Sequence, residues 1–267
     1  DEASPFRAEI LDDRIGYLRL GALTKSNVVE MDAALQNVVH KSLKAVILDL
    51  RATPTSSDFD LAADVIKRFT PKGKMLFTIK KPSAKQERIV TSNQEPQFHG
   101  VIVAVVDRET AGAAEVIAAV LRIHASALIV GAKTKGAAVE FADLPLRTGK
   151  IVRLAVAEIT LPGNASIFPG GVKPDIAIEI SDAQKREIMQ ASLEKGISQF
   201  VFENERPRMN EAALVAGTNP EVDAMQAAQR NRTEKGRPAL HDAVLQRAVD
   251  LITSIGVFEA RPSPEQK

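Results

Sequence analysis

Cysteine is absent from the chain, which excludes disulfides, thiolate metal sites and a thiol nucleophile. Histidine is scarce: His40, His99, His124 and His241 are the four. None is spaced from another as in HExxH or a similar ligand pair, so no metal is expected. Neither sign of charge prevails, with 35 basic against 34 acidic side chains, and bulk charge therefore points to neither nucleic acid nor an acidic substrate. A basic run, Arg230, Arg232, Lys235 and Arg237, is broken by Glu234 and carries no interleaved aromatics; no nucleic-acid partner is expected. No apolar stretch approaches the roughly 20 residues that a membrane-crossing helix needs, so no membrane span is expected either.

The composition itself, 45% apolar and 26% charged, is that of an ordinary globular protein, and 267 residues suffice for one large domain with a tail. Residues 6–11 and 14–20, joined at Asp12 and Asp13, predict a β-hairpin. Ser26 is expected to cap a helix that carries Val28, Met31, Ala34, Leu35 and Val38 at i, i+3, i+4 spacing. Residues 44–50 are almost continuously apolar, as in a strand buried on both faces. A helix from about 58 to 69 follows, then strands at 75–79 and 100–106, a helix to about His124 and a strand at 127–130. After a Gly/Lys loop come a long strand at 151–161, a turn at Pro169, Gly170 and Gly171, and a strand at 176–180. This alternation predicts βαβ units and a largely parallel sheet. Beyond Ser181, residues 182–200 and 240–256 have helical periodicity, with Leu245, Ala248, Val249 and Ile252 in one stripe. Residues 204–238 between them read as an irregular arm around a short helix near 222–229. The expected organisation is an α/β core over 1–180 and a helical extension over 181–267, packed on the core or on a neighbouring subunit.

Several blocks are more specific. Residues 15–20 read IGYLRL, 45–51 read AVILDLR, 113–121 read AAEVIAAVL, 127–131 read ALIVG and 171–176 read GVKPDI. In order and nearly in spacing they resemble the C-terminal processing (tail-specific) proteases of peptidase family S41, whose patterns are IGYIRI, LILDLRxNPGG, ASEIxAxAL, AxxVG and GVxPDI. Residues 243–251 resemble the closing helix of that family. The resemblance implies an α/β fold, a crotonase/ClpP-like spiral of ββα-type repeats with an N-terminal β-hairpin and a C-terminal helical extension. The family's PDZ module is not expected, since this chain enters the core almost at once.

The family's nucleophile is the middle Ser of SASASE, and its base is the Lys of TFGKG. Aligned on Glu115, the first stretch reads Thr110, Ala111, Gly112, Ala113, Ala114, Glu115, with Gly112 at the nucleophile position. Aligned on Thr134, the second reads Thr134, Lys135, Gly136, Ala137, Ala138, with Ala137 at the base position. The two replacements keep the family's own spacing between nucleophile and base. A Ser/Lys hydrolase needs a hydroxyl to form the acyl-enzyme and a neutral amine to take its proton; Gly and Ala offer neither. Where the family has NPGG, with glycine N–H groups for the oxyanion, this chain has Thr53, Pro54, Thr55 and Ser56. Phe141 stands where the family usually has Gln. Glu115 is expected to be structural, at the dipole-favoured start of its helix.

The resemblance thus implies a catalytically degenerate homologue, a pseudoprotease that binds a peptide or protein partner or serves as a scaffold. No catalytic residue is expected intact and no cofactor is expected. The candidate peptide groove comprises Thr53, Pro54, Thr55, Gly112, Ala113 and Phe141. An open groove should leave Gly112 at its floor, whereas a purely structural role should fill it with Phe141 or its neighbours. The alternatives are an active serine-type peptidase with a relocated pair, drawn from Thr110, Lys135 and Ser56, or a crotonase-type acyl enzyme, for which no basic, adenine-stacking constellation is evident. Ser57 and Thr110 otherwise suit turns or caps, and Lys133 and Lys135 suit a solvated loop. The extension after Ser181 is a candidate surface for homo-oligomers. The chain begins at Asp1 rather than Met, so removal of a signal peptide is one expectation, with a periplasmic or secreted location and the cytoplasm as the alternative.

Overall fold

The computed structural model describes residues 5–81, 85–201 and 240–259; the arm expected at 204–238 and its short helix lie outside them. The chain divides into two compact units, one of Asp1–Glu179 with Arg247–Lys267 and the other of Ile180–Gln246.

The first unit opens with the expected hairpin, β1 (Arg7–Leu11) against β2 (Ile15–Arg19). Asp12 and Asp13 turn it at φ 49 and 51, a left-handed conformation that short polar side chains tolerate. Helix α1 (Lys25–His40) buries Val28, Met31, Leu35 and Val38, but its cap is Thr24 rather than Ser26. Thr24 is extended and its hydroxyl accepts from the Asn27 N–H at 3.2 Å, whereas Ser26 already lies inside the helix. Strand β3 (Ala45–Asp49) is buried along its whole length and lies parallel between β2 and β6 (Val101–Val106). Between β3 and β6 come α2 (Phe59–Lys67), β4 (Met75–Lys81) and β5 (Gln86–Thr91). Helix α3 (Ala113–Ala125), β7 (Leu128–Gly131), β8 (Val139–Pro145), β9 (Ile151–Thr160) and β10 (Ile176–Ala177) complete the core.

The strands form a six-stranded sheet in the order β1-β2-β3-β6-β7-β10, parallel from β2 onward, and an antiparallel four-stranded sheet in the order β5-β4-β9-β8. One continuous apolar core includes residues from the first sheet, from α1, α2 and α3, and from β4 and β9. Strand β5 stands in a stretch the sequence reading left unassigned, and β8 where it had the Gly/Lys loop. β5 offers little but Ile89 and Val90 as apolar signal and is held by its ladder to β4 rather than by burial. β8 follows the Gly/Lys loop and ends at a proline, which masks its alternation. The strand expected at 176–180 is only two residues long, because its partner β7 ends at Gly131. Past Glu158–Thr160, where β9 pairs with β4, the stretch from Ile151 to Ala155 pairs with β8 alone. In that two-stranded ribbon Leu144, Ile151, Val152 and Leu154 are exposed.

In the second unit α4 (Asp182–Lys195) stops at Gly196, which takes φ 77, and residues 198–200 form a separate short turn instead of continuing the helix. The last helix, α5 (Ala243–Glu259), of which only Ala243–Gln246 falls in the second unit, starts one residue after Asp242, whose side chain caps it through the Leu245 N–H at 3.0 Å. Its expected stripe, Leu245, Ala248, Val249 and Ile252, is buried.

A buried polar cluster ends β2 and β3. Asp49 accepts from Arg51 Nε at 3.0 Å, Arg51 Nη2 at 2.7 Å and the Tyr17 hydroxyl at 2.8 Å, and Arg19 Nε donates to that hydroxyl at 3.0 Å. Burial alone would push the Asp49 carboxyl up; the Arg51 charge and hydrogen bonds, the Arg19 charge and the Tyr17 hydroxyl override it and hold the pKa at about 2. Burial and the Asp49 charge push the Tyr17 phenol well above its ordinary value. Because the Asp49 carboxyl is depressed from 3.8, its contribution is complete above about pH 4 and is lost as the pH falls through about 2, amounting to about 2 kcal/mol. Urea midpoints measured across that range should fall with pH. Asp49→Asn should destabilise by about 3 kcal/mol at neutral pH, by stranding Arg51, and should flatten the acid dependence.

Candidate functional site

Three loops meet at the start of α3. The first joins β6 to α3 and is set by Asp107, whose Oδ1 accepts from the N–H groups of Glu109 at 3.0 Å and Thr110 at 2.9 Å and from the Thr110 hydroxyl at 3.1 Å. That hydroxyl in turn accepts from the Asp107 N–H at 3.0 Å, and Thr110 is fully buried. Two residues on, Gly112 takes φ 62, ψ −122 as the residue before the helix, a region that side chains rarely occupy.

The second loop, between β7 and β8, is drawn to the first by one side chain. Glu115, fully buried in the first turn of α3, receives four donors, two on each carboxylate oxygen. Oε2 accepts from Gly112 N–H at 2.9 Å and Ala137 N–H at 2.7 Å; Oε1 accepts from the Thr134 hydroxyl at 2.6 Å and Gly136 N–H at 2.5 Å. Short charge-assisted bonds of this kind are roughly twice as strong as neutral ones. They bring the two aligned positions together: a Cβ built on Gly112 would lie 3.7 Å from the Ala137 carbonyl oxygen. The Lys135 N–H reinforces the junction with a 3.1 Å bond to the Thr110 carbonyl. Thr134 extends it to the GVKPDI stretch, since its hydroxyl accepts from the Val172 N–H at 2.7 Å.

The third loop runs from β3 to α2. Ser56 opposes Gly112 in a single parallel bridge, and its carbonyl accepts from the Ala113 N–H at 2.8 Å. The Ser56 hydroxyl accepts from the Asp58 N–H at 3.0 Å, while the Ser57 hydroxyl reaches the Val139 carbonyl at 3.5 Å. Thr53 is buried with no partner for its hydroxyl among the described residues; Pro54 and Thr55 are exposed.

Of the groove candidates, Gly112, Ala113 and Thr53 are buried, so Gly112 is not an open floor. Phe141 is not what covers it: the ring is 41% exposed on β8, with the Arg153 guanidinium 5.9 Å from its centroid. The corner therefore holds backbone donors and a carboxylate but no hydroxyl or amine at the two aligned positions. The fallback residues are disposed differently, with Thr110 buried and bonded to Asp107, and Lys135 exposed. Among the described residues no cluster of His, Asp or Glu could hold a metal. Glu115 was legible as a helix-start carboxylate, but not as the tie between loops, because three of its four donors are backbone N–H groups. The Ser56 carbonyl has no sequence signal at all.

The model of peptidase family S41 matches residues 14–178. A carboxyl-terminal-processing protease of Synechocystis is 27% identical over 180 residues, covering 66% of this chain and 42% of that protein. A carboxy-terminal-processing protease of Bartonella bacilliformis is 29% identical over 169 residues, covering 62% of this chain and 39% of that one; the chain thus matches well under half the length of these relatives. Among solved structures, a photosystem II D1 C-terminal processing protease superposes with a TM-score of 0.55 at 22% identity, covering 66% of this chain and 48% of its own, a likeness of fold.

Replacing Glu115 by Ala would leave three buried donors and the half-buried Ala137 N–H without this acceptor. We expect a loss of about 3–5 kcal/mol, read as a lower urea midpoint. Glu115→Gln, which keeps the shape but turns one oxygen into a donor, should fall between the two.

Proposed function

The chain belongs to peptidase family S41, and we propose that it is a non-catalytic member, a pseudoprotease that binds a peptide or protein partner or serves as a scaffold. The observation that supports this is the pairing of Gly112 with Ala137 across the Glu115 carboxylate. By alignment with the family's motifs these are its nucleophile and base positions; the two residues lie together, and neither carries a group that can attack a carbonyl or accept the nucleophile's proton. The relocated pair fares poorly by comparison. Thr110 would have to leave Asp107 and the core to act as a nucleophile, and reacting groups misplaced by even 1 Å lose much of their rate. The oligomer surface on the helical extension and a periplasmic or secreted location belong to the same proposal.

The test is a panel of unstructured peptides with apolar C-termini, followed by mass spectrometry for cleavage and by fluorescence anisotropy for binding. We expect no cleavage product above the buffer control, with binding of a subset of the panel if the partner is a peptide. Cleavage by the unaltered chain that Thr110→Ala or Lys135→Ala abolishes would overturn the proposal and establish a relocated pair.

A further inference from the structure

We infer that the loop over residues 53–57 is a built-in plug that closes the oxyanion corner with its own Ser56 carbonyl, and that Gly112 is the residue that lets it seat. An acyl group held for attack needs free N–H donors about 2.7–3.1 Å from its oxygen. At this corner the two amides at the start of α3 are already engaged, Gly112 N–H on Glu115 at 2.9 Å and Ala113 N–H on Ser56 at 2.8 Å, the latter by the very segment that stands where the family has its glycine donors. The Ser56 carbonyl thus occupies the place of a ligand's carbonyl, supplied by the chain itself.

Seating depends on the absence of a side chain at 112. A Cβ there would lie 2.3 Å from the Ser56 oxygen, where ordinary contact begins at 3.4 Å, and the φ of +62 would strain it in any case. The obstructing atom is backbone, so no rotamer change relieves the clash; the loop must retreat by roughly 1 Å, enough to weaken the Ala113 bond steeply. A chain with any side chain at this position could not hold the same closed geometry. The replacement that removes the nucleophile is therefore also the one that permits closure.

The loop is anchored at both ends and exposed between them. One end is fixed by the buried Asp49 and Arg51 pair and the other by Asp58, which caps α2 through the Leu61 N–H at 2.9 Å. Pro54 and Thr55 between them are exposed, so their displacement disturbs little of the core. A peptide entering the corner competes with Ser56 for the Ala113 N–H, and its apparent affinity is reduced by the fraction of time the loop is shut. A single Gly112→Ser exchange would then supply a hydroxyl but also push the loop out.

The closure is read on the free, full chain by amide hydrogen exchange with NMR detection, so it is independent of whether the protein binds or cuts peptides. Cleavage by the unaltered chain would sink the non-catalytic reading and leave this result to be judged by itself. We expect the Ala113 amide to be protected. In Gly112→Ala it should exchange at least about tenfold faster together with residues 53–57, while the amides from Val116 to Leu121 keep their protection. Should Gly112→Ala fail to fold, Ser56→Gly, which loosens the loop and leaves Gly112 in place, should give the same selective acceleration. An Ala113 amide that exchanges freely in the unaltered chain, or one whose rate neither variant changes, overturns the inference.

Discussion

Everything distinctive about the site depends on one buried carboxylate. Glu115 reaches both the turn before α3 and the loop after β7 with charge-assisted bonds, and a buried carboxylate is tolerable only because each oxygen has two donors. The converse also holds. Gly112 and Gly136 are buried and Ala137 is half-buried, and without Glu115 their N–H groups would lose this acceptor. Gly136 can join the set because it takes φ 78 and packs where a Cβ would meet the Pro169 carbonyl oxygen at 2.2 Å. Loop shape, glycine placement and carboxylate form one arrangement.

The Asp49 cluster does for the third loop what Glu115 does for the other two. It sits where β3 ends and the loop to α2 begins, and its ion pair is desolvated on both sides, with side-chain exposures of 1% for Arg51 and 0% for Asp49. Such pairs penalise any geometry that separates them. The start of the 53–57 segment is thereby defined to within a hydrogen bond. Two desolvated carboxylates, one at each side of the corner, thus fix backbone that carries no secondary structure of its own.

Much of the fold was legible because burial follows periodicity. The continuous apolar runs that became β3 and β6, the i, i+3, i+4 stripe of α1 and the stripe of α5 all appear as read. What was not legible depends on the backbone or on an edge. β5 has almost no apolar face, the length of β10 is limited by its neighbour, and the choice of Thr24 over Ser26 as a cap turns on which of two similar residues is extended. At the site, the identities at 112 and 137 could be read by alignment, and the structure does bring those positions together. That the corner is covered by a main-chain oxygen rather than by Phe141 could not be read, since a carbonyl is the same in every residue.

The ribbon formed by β8 and the outer part of β9 has a consequence for how the protein behaves in bulk. Two strands without a third are marginal in water, and here the solvent-facing positions include Leu144, Ile151, Val152 and Leu154. The chain's formal net charge near neutrality is only +1, so long-range repulsion between molecules is weak. Among the described residues this strip is one apolar surface on which concentration and salting-out anions act before they act on the core, and added carboxylates on its solvent face should make the protein more soluble.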